Sequence, residues 1–216
     1  MKSSGQQIVA NLSAGLITGV EGLQCFAIPY VDYFEGVGPI APFRPADAPG
    51  EHPFKNFEPG FQFDDPFAGL LKVSHRYLVP LWDLVFHDCA VVYPRWDEAG
   101  NKFPNDLWVK KGTLQKILYG RPPLFNFTPK YWQNPENKKR ILEIYKAVCP
   151  VARKTGYARM INHQFLTSDR DVQRTTFDNG ISVTVNFGDQ LYRDPVVGEM
   201  GRREYKVLPM SKEQSP

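Results

Sequence analysis

An almost unbroken apolar run from Val79 to Phe86 constrains the fold of this chain more than any other stretch, and only Asp83 interrupts it. An alternating pattern would indicate a strand with one solvent-facing side. A continuous run of this length is typical of a strand that is covered on both faces of a parallel sheet. Pro80 fits the first residue of such a strand, where its missing N–H is tolerated. The run therefore predicts a central parallel strand of an α/β fold.

Two polar residues, His87 and Asp88, come directly after this run. Parallel α/β folds place their chemistry where buried strands end. The same pattern fits a His and an Asp that only hydrogen-bond the rim of the sheet. His87 and Asp88 are therefore candidate site residues, with a structural role as the alternative.

A second strand end carries a carboxylate. The short apolar segment Leu16–Val20 is followed at once by Glu21, which repeats the pattern of the central run. The alternative is that Glu21 is an exposed loop residue without a functional role, which is the commoner position of Glu in proteins. The next segment mixes aromatic residues with Asp32 and Glu35, and both of these acids fit solvated rim positions as well as a site.

The stretch from Val37 to Pro66 is rich in both Pro and Phe. The prolines exclude regular structure there, whereas the aromatic residues argue against disorder. A long ordered loop in a compact domain is usually functional. This loop is therefore predicted to be a lid or a wall of a binding site.

The remaining elements follow from local signals. A helix is predicted from Asp106 to Leu118. A second helix is predicted from Asn134 to Lys154, with Pro135 in its first turn. A short strand is predicted over Pro122–Phe127. Near Met160 the pattern changes to three strands, of which the last two are joined by a hairpin turn: Met160–Leu166, Val172–Phe177 and Ile181–Phe187, with Asp178-Asn179-Gly180 as the turn. The chain thus divides into strand–helix units up to about residue 158 and an antiparallel β module after it.

Composition excludes several classes of function. The net charge is only +3 and no Lys/Arg-rich run occurs, so nothing indicates nucleic acid or an anionic membrane as a partner. No apolar run reaches 18 residues, and the first residues lack the apolar core of a signal peptide. Cys25, Cys89 and Cys149 form no CxxC pair and are predicted to be buried free thiols, and the four histidines are scattered. No metal or other cofactor is predicted, and a Ser-based triad is disfavoured because G-x-S-x-G is absent.

Four motifs together resemble glycoside hydrolases of the endo-α-N-acetylgalactosaminidase type, families 101 and 129 and their relatives. The motifs are ITGVEG…PYVDYFEG, VPLWDLVFHD, LYGRPPLFNF and MINHQFLTSDRDVQRTTFDNGISVTVNFGD. The resemblance covers roughly residues 15–190, and the last motif is the most specific. It implies a (β/α)₈ barrel followed by a β-sandwich, with residues 1–158 as part of the barrel and 159–216 as the start of the sandwich.

The resemblance also implies a mechanism and site residues. Family members are retaining enzymes with an aspartate nucleophile and a glutamate acid/base, and Glu21 matches the acid/base. A barrel needs about 250 residues, so the nucleophile is expected upstream of Met1 and the chain alone is expected to be inactive and prone to aggregate. Carbohydrate is the implied partner: His87 and Asp88 would bind sugar hydroxyls, Tyr33 or Trp96 would stack on a sugar ring, and Asp32 would lie beside them. The competing hypothesis is a non-catalytic carbohydrate-binding or interaction remnant of such an enzyme.

Overall fold

The computed structural model describes residues 17–21, 25–37, 75–94, 106–125 and 129–209. Helices α1 to α4 span Leu81–Phe86, Asp106–Tyr119, Pro129–Gln133 and Pro135–Thr155. Two 3₁₀ helices span Cys25–Tyr30 and His75–Tyr77. Strands β1 to β9 span Gly19–Glu21, Tyr33–Val37, Val91–Pro94, Met160–Phe165, Val172–Phe177, Ile181–Asn186, Tyr192–Asp194, Gly198–Met200 and Tyr205–Pro209.

The strands form three sheets. β1, β2 and β3 pair in this order, and both pairings are parallel. β4, β5, β6 and β9 form an antiparallel sheet, and β7 pairs with β8 in a separate hairpin. A parallel sheet and an antiparallel module are therefore both present, and the fold is mixed α/β. The β-sandwich implied by the resemblance stays a prediction, because the described strands after residue 158 form one four-stranded sheet and one two-stranded hairpin.

The apolar run is helical, so the prediction that Val79–Phe86 forms the central strand is wrong. Helix α1 begins after Pro80 and contains six residues. Trp82 is buried and its ring contacts Phe86, one turn later, at 4.8 Å between centroids. A run that is apolar on every side carries no periodicity to separate helix from strand. The strand that completes the sheet is instead β3, which follows this helix.

A buried ion pair explains the one charge inside the apolar run. Arg121 donates two hydrogen bonds to Asp83, from Nε at 2.8 Å and from Nη2 at 2.6 Å. The two side chains are only 8% and 1% exposed. The bidentate geometry compensates part of the cost of removing both charges from water. This pair joins α1 to the segment that leaves α2.

Local helix signals are confirmed. The Asn134 side chain accepts a hydrogen bond from the Glu136 N–H at 2.9 Å and caps α4, with Pro135 at the first position. Helix α2 ends at Tyr119, and Gly120 follows it with a φ of 66°, a conformation that a Cβ disfavours. The strand predicted over Pro122–Phe127 is absent from residues 122–125, where two successive prolines have no N–H for a ladder.

One core joins the helices to the antiparallel sheet. Buried apolar side chains of α2, α4, β5 and β6 pack together, among them Leu118, Val148, Phe177 and Val185. The outer face of the same sheet is polar. There Arg174 donates to Thr184 Oγ1 at 2.8 Å and to Asp194 at 2.6 Å, which ties the β7–β8 hairpin to the sheet.

A second ionic contact joins the segment before α1 to the antiparallel sheet. Arg76 donates from Nε and Nη2 to the two oxygens of Asp171, each at 2.8 Å, and His75 Nε2 lies 2.8 Å from Oδ1. Burial by itself would raise the pKa of Asp171. The hydrogen bonds and charges of His75 and Arg76 outweigh it and hold the pKa well below its usual range.

We expect this contact to make stability depend on pH. Because the folded-state pKa of Asp171 is depressed, its contribution is complete above the unfolded pKa of about 3.9 and is lost as the pH falls through the folded value. Between pH 7 and pH 2 the native chain should lose about 1.5–3 kcal/mol more unfolding free energy than Asp171→Asn. Urea unfolding at several pH values measures this. Asp189→Asn, whose side chain is 60% exposed, is the control, and equal pH dependence of the native chain and Asp171→Asn would contradict the account.

Candidate functional site

The two faces of the parallel sheet differ in chemistry. On one face Phe34 is completely buried and packs edge-on against Trp82 at 5.2 Å, beside Val92. The next positions along β2 point to the other face, because side chains alternate along a strand. These are Tyr33, which is half-buried, and Glu35, which is exposed. One face is therefore a core and the other is polar and open among the described residues.

The open face carries a pair of tyrosines. The rings of Tyr33 and Tyr93 meet edge to face, with 5.7 Å between centroids. Gly19, the register partner of Tyr33, allows this arrangement, because a Cβ there would overlap the Tyr33 ring. The open face thus offers partly exposed aromatic surface of the kind that can stack on a sugar ring.

Replacing Gly19 with Ala should displace this ring. The new methyl group overlaps Tyr33, and such overpacking costs about 1–3 kcal/mol. Gly112→Ala in α2 is the matched control. Among the described residues, its Cβ would meet Lys116 Nζ alone, at 3.9 Å, so it should be neutral or stabilise by about 0.5–1 kcal/mol. Urea unfolding compares the two, and equal effects would mean that Tyr33 does not lie across Gly19.

The carboxyl ends of the three strands form one edge of the sheet. Glu21 is the last residue of β1, which spans Gly19–Glu21. The strand predicted over Leu16–Val20 is therefore shorter than expected and ends one residue later, at Glu21 itself. Val37 and Pro94 end the neighbouring strands and pair in register. This edge is where parallel α/β folds bind their ligands. Trp96, the other predicted ring-stacking residue, lies outside the described residues, as does the aromatic loop from residue 38 onward.

Glu21, His87 and Asp88 were each predicted to follow a buried strand, which in a parallel sheet would put them at the same end, and this prediction is wrong. His87 and Asp88 follow α1 and precede β3, and the strands are parallel. The chain therefore enters β3 from the amino-terminal edge, opposite the edge of Glu21. Asp32 also belongs to that edge: its carboxylate accepts a hydrogen bond from the Thr18 N–H at 2.7 Å and links the starts of β1 and β2.

His87 has a structural environment. Its side chain is buried, with Nδ1 2.7 Å from the carbonyl oxygen of Ala158 and Nε2 2.9 Å from that of Tyr119. Both ring nitrogens are therefore engaged by main-chain oxygens and are not free to bind sugar hydroxyls. The ring joins the end of α1 to the end of α2 and to the chain entering β4. Asp88 is exposed, and its carboxylate accepts a long hydrogen bond from Cys89 Sγ at 3.6 Å.

Sequence reasoning did not identify the buried polar cluster around the Asp83–Arg121 ion pair. Burial raises the pKa of the nearby Tyr119 phenol, and the Asp83 carboxylate raises it further. Burial lowers the pKa of His163 to about 4, against the opposite effect of Asp83, so this ring is neutral at pH 7. The single charge in an apolar run was the only sequence signal for this cluster.

The cluster does not form a sugar site. The cavity beside it is lined by residues 78–83 together with Tyr119 and Arg121. The volume of this cavity is about 10 Å³, which is room for a single water molecule. The open face and the carboxyl edge of the parallel sheet are therefore the better candidate for a functional site.

Metal ligands do not come together in the described ranges: no three His, Cys, Asp or Glu side chains converge there. The three cysteines are free, but the prediction of burial is wrong for Cys25 and Cys89, which are exposed. Within the same ranges, no helix has the length and apolar character to cross a membrane.

Several solved structures of one enzyme have a similar fold. The chain resembles the α-N-acetylgalactosaminidase NagBb from Bifidobacterium bifidum in its Gal-NHAc-DNJ complex, with 19% identity and a TM-score of 0.53 over 96% of this chain and 27% of that one. It is similar to the GalNAc complex of the same enzyme, with 19% identity and a TM-score of 0.51 over 94% of this chain and 26% of that one. It is also similar to a quadruple mutant, with 20% identity and a TM-score of 0.51 over 94% of this chain and 25% of that one. The chain spans about a quarter of the length of these neighbours. At this identity the likeness shows the fold alone.

Sequence comparison assigns the family. None of the curated proteins matches the chain. The model of glycosyl hydrolases related to the GH101 family, GH129, matches residues 43–176. That match covers more than half of the 216 residues. It contains the second and third motifs and the first part of the fourth, whereas the first motif precedes it. The chain therefore belongs to the glycosyl hydrolases of family GH129, which is related to GH101.

Proposed function

We propose that this chain forms part of the catalytic domain of a retaining glycoside hydrolase that cleaves α-linked N-acetylgalactosamine, with Glu21 as the acid/base. The observation that carries the proposal is family membership combined with a glutamate at the carboxyl end of a parallel strand. The structural neighbours are named α-N-acetylgalactosaminidases, which supports the choice of sugar.

The proposed architecture is part of a (β/α)₈ barrel over residues 1–158, followed by the start of a β-sandwich over 159–216. Three adjacent parallel strands with helices on one side match a segment of barrel wall. The open face with Tyr33 and Glu35 then corresponds to the barrel interior. Parallel sheets are rarely left uncovered on one face, which supports further strands closing over it.

In the proposed mechanism Glu21 first acts as an acid. Its carboxyl group gives a proton to the glycosidic oxygen while the C1–O bond breaks and a second carboxylate bonds to C1. Glu21, now ionised, then takes a proton from a water molecule that attacks C1 and releases the second carboxylate. The two carboxyl groups must lie about 5–5.5 Å apart. The second carboxylate is proposed to come from another strand of the assembled barrel.

Substrate contacts are proposed for the aromatic residues. Tyr33 on the open face and Trp96 beyond β3 are the proposed stacking surfaces for a sugar ring. The positions of Asp32 and His87 favour structural roles for those two residues. Asp88, exposed at the opposite edge, is not expected to contact the sugar at Glu21.

A panel of aryl glycosides tests the proposal. The full polypeptide encoded in frame with these residues and the 216-residue chain alone are each incubated with aryl α- and β-glycosides of several sugars. We expect turnover of the α-N-acetylgalactosaminide by the full polypeptide and none by the chain alone. Turnover by the purified chain would contradict the need for an outside carboxylate. Sugar binding by the full polypeptide without any hydrolysis would instead support the non-catalytic alternative.

A further inference from the structure

Glu21 has a second carboxylate as its register partner. In the pairing of β1 with β2, Glu21 lies opposite Glu35. Neighbouring strands of a sheet are about 4.8 Å apart, and register partners share a face. The same pairing places Gly19 opposite Tyr33, on the open face. Both acids therefore belong to the open face, near its carboxyl edge.

Among the described residues, no basic group compensates the charge of Glu35. Its side chain is exposed, whereas its neighbour Phe34 is fully buried on the other face. Its register partner on β1 is Glu21, and its neighbours on the open face are Tyr33 on its own strand and Tyr93 on β3. Within the part of the chain described, no Lys, Arg or His pairs with its carboxylate.

The backbone is irregular at the same point. β2 and β3 pair Phe34 with Val92 and then Val37 with Pro94. Two residues of β2, Glu35 and Gly36, therefore lie opposite one residue of β3, an irregularity with the residue count of a β-bulge. Bulges are over-represented beside active sites, where they redirect a side chain. The irregularity thus falls on the one carboxylate of β2 that the register places beside Glu21.

We propose that Glu35 is a positioning residue that keeps the proton on Glu21 at neutral pH. A nearby like charge disfavours ionisation of a carboxyl group, and a general acid must retain its proton at the working pH. Glu35 supplies such a charge from one strand away and does not itself touch the glycosidic bond. The inference rests on the proposed role of Glu21 as acid/base.

The test is the pH profile of kcat/KM for a substrate with a poor leaving group, measured on the full in-frame polypeptide. Glu35→Gln removes the charge at nearly constant size. It should move the basic limb, which reports loss of the proton from the acid, to lower pH by about one unit, so that activity on that limb falls about tenfold. Glu35→Asp retains the charge and should keep most of the native limb. A purely structural role for Glu35 would change the amplitude of the profile without moving its limb.

Glu199→Gln is the matched control, because Glu199 is an exposed acid on the β7–β8 hairpin. A basic limb that stays in place in Glu35→Gln, while Glu21→Gln is severely impaired, would overturn the role of Glu35 and leave the proposed function standing. A Glu21→Gln variant with native activity would instead overturn the proposed function.

Discussion

Replacing Glu21 with Gln in the full in-frame polypeptide is expected to slow hydrolysis of glycosides with poor leaving groups by about 10²–10⁴-fold. Glutamine has nearly the same size but cannot give a proton to the glycosidic oxygen. Activated aryl glycosides leave without protonation, so their first step should be affected much less. The values of kcat/KM for one substrate of each kind, which report the first step, measure the difference.

The control for this variant is again Glu199→Gln, which should match the native enzyme on both substrates. An equal loss of kcat/KM on activated and unactivated glycosides would indicate that Glu21 supports the fold or binds the sugar. Native rates on both would remove Glu21 from the site.

Breaking the buried ion pair should have the largest effect on stability. Asp83→Asn leaves the Arg121 guanidinium, 8% exposed, without a counter-charge. Removing one partner of a buried pair costs about 3–5 kcal/mol. Urea unfolding followed by near-UV circular dichroism should show a loss of this size.

Two further variants separate charge burial from packing. The double replacement Asp83→Leu with Arg121→Met removes both charges and should recover most of the loss, because apolar side chains can replace a buried pair at little cost. Glu199→Gln breaks an exposed pair, with Arg193, and should cost less than about 1 kcal/mol. A single Asp83→Asn variant as stable as the native protein would contradict a buried pair.

Elements with local signals were predictable from the sequence. The Asn134-Pro135 start of α4, the Gly120 end of α2 and the alternating strands joined by Asp178-Asn179-Gly180 depend on neighbouring residues only. In each case a cap, a positive φ or a period of two determines the local structure. Such signals do not need information from distant parts of the chain.

The strand prediction for the central apolar run was wrong because the structure of this run is determined by distant contacts. Its apolar residues fit a buried strand or a buried helix equally well. Trp82 packs against Phe34, and Asp83 pairs with Arg121, 38 positions later. Nothing within the run marks the β3 strand that follows it, which has only four residues.

The residues of the candidate site show the same difference between local sequence signals and distant contacts. Glu21 could be placed at a strand end because the apolar residues before it are adjacent in sequence. His87 could not be assigned, because the carbonyl oxygens that engage its ring come from positions 32 and 71 residues away. Glu35 was recognisable as an acid among aromatic residues, but only the strand register places it beside Glu21.

The most direct test of the central claim is an NMR measurement of the first sugar released from an aryl α-N-acetylgalactosaminide by the full in-frame polypeptide. A retaining mechanism gives the α-anomer first, which then mutarotates in solution. The account predicts the α-anomer from the native enzyme and a strongly reduced rate of its release from a glycoside with a poor leaving group in Glu21→Gln. Initial release of the β-anomer, or release at the native rate by Glu21→Gln, would contradict it.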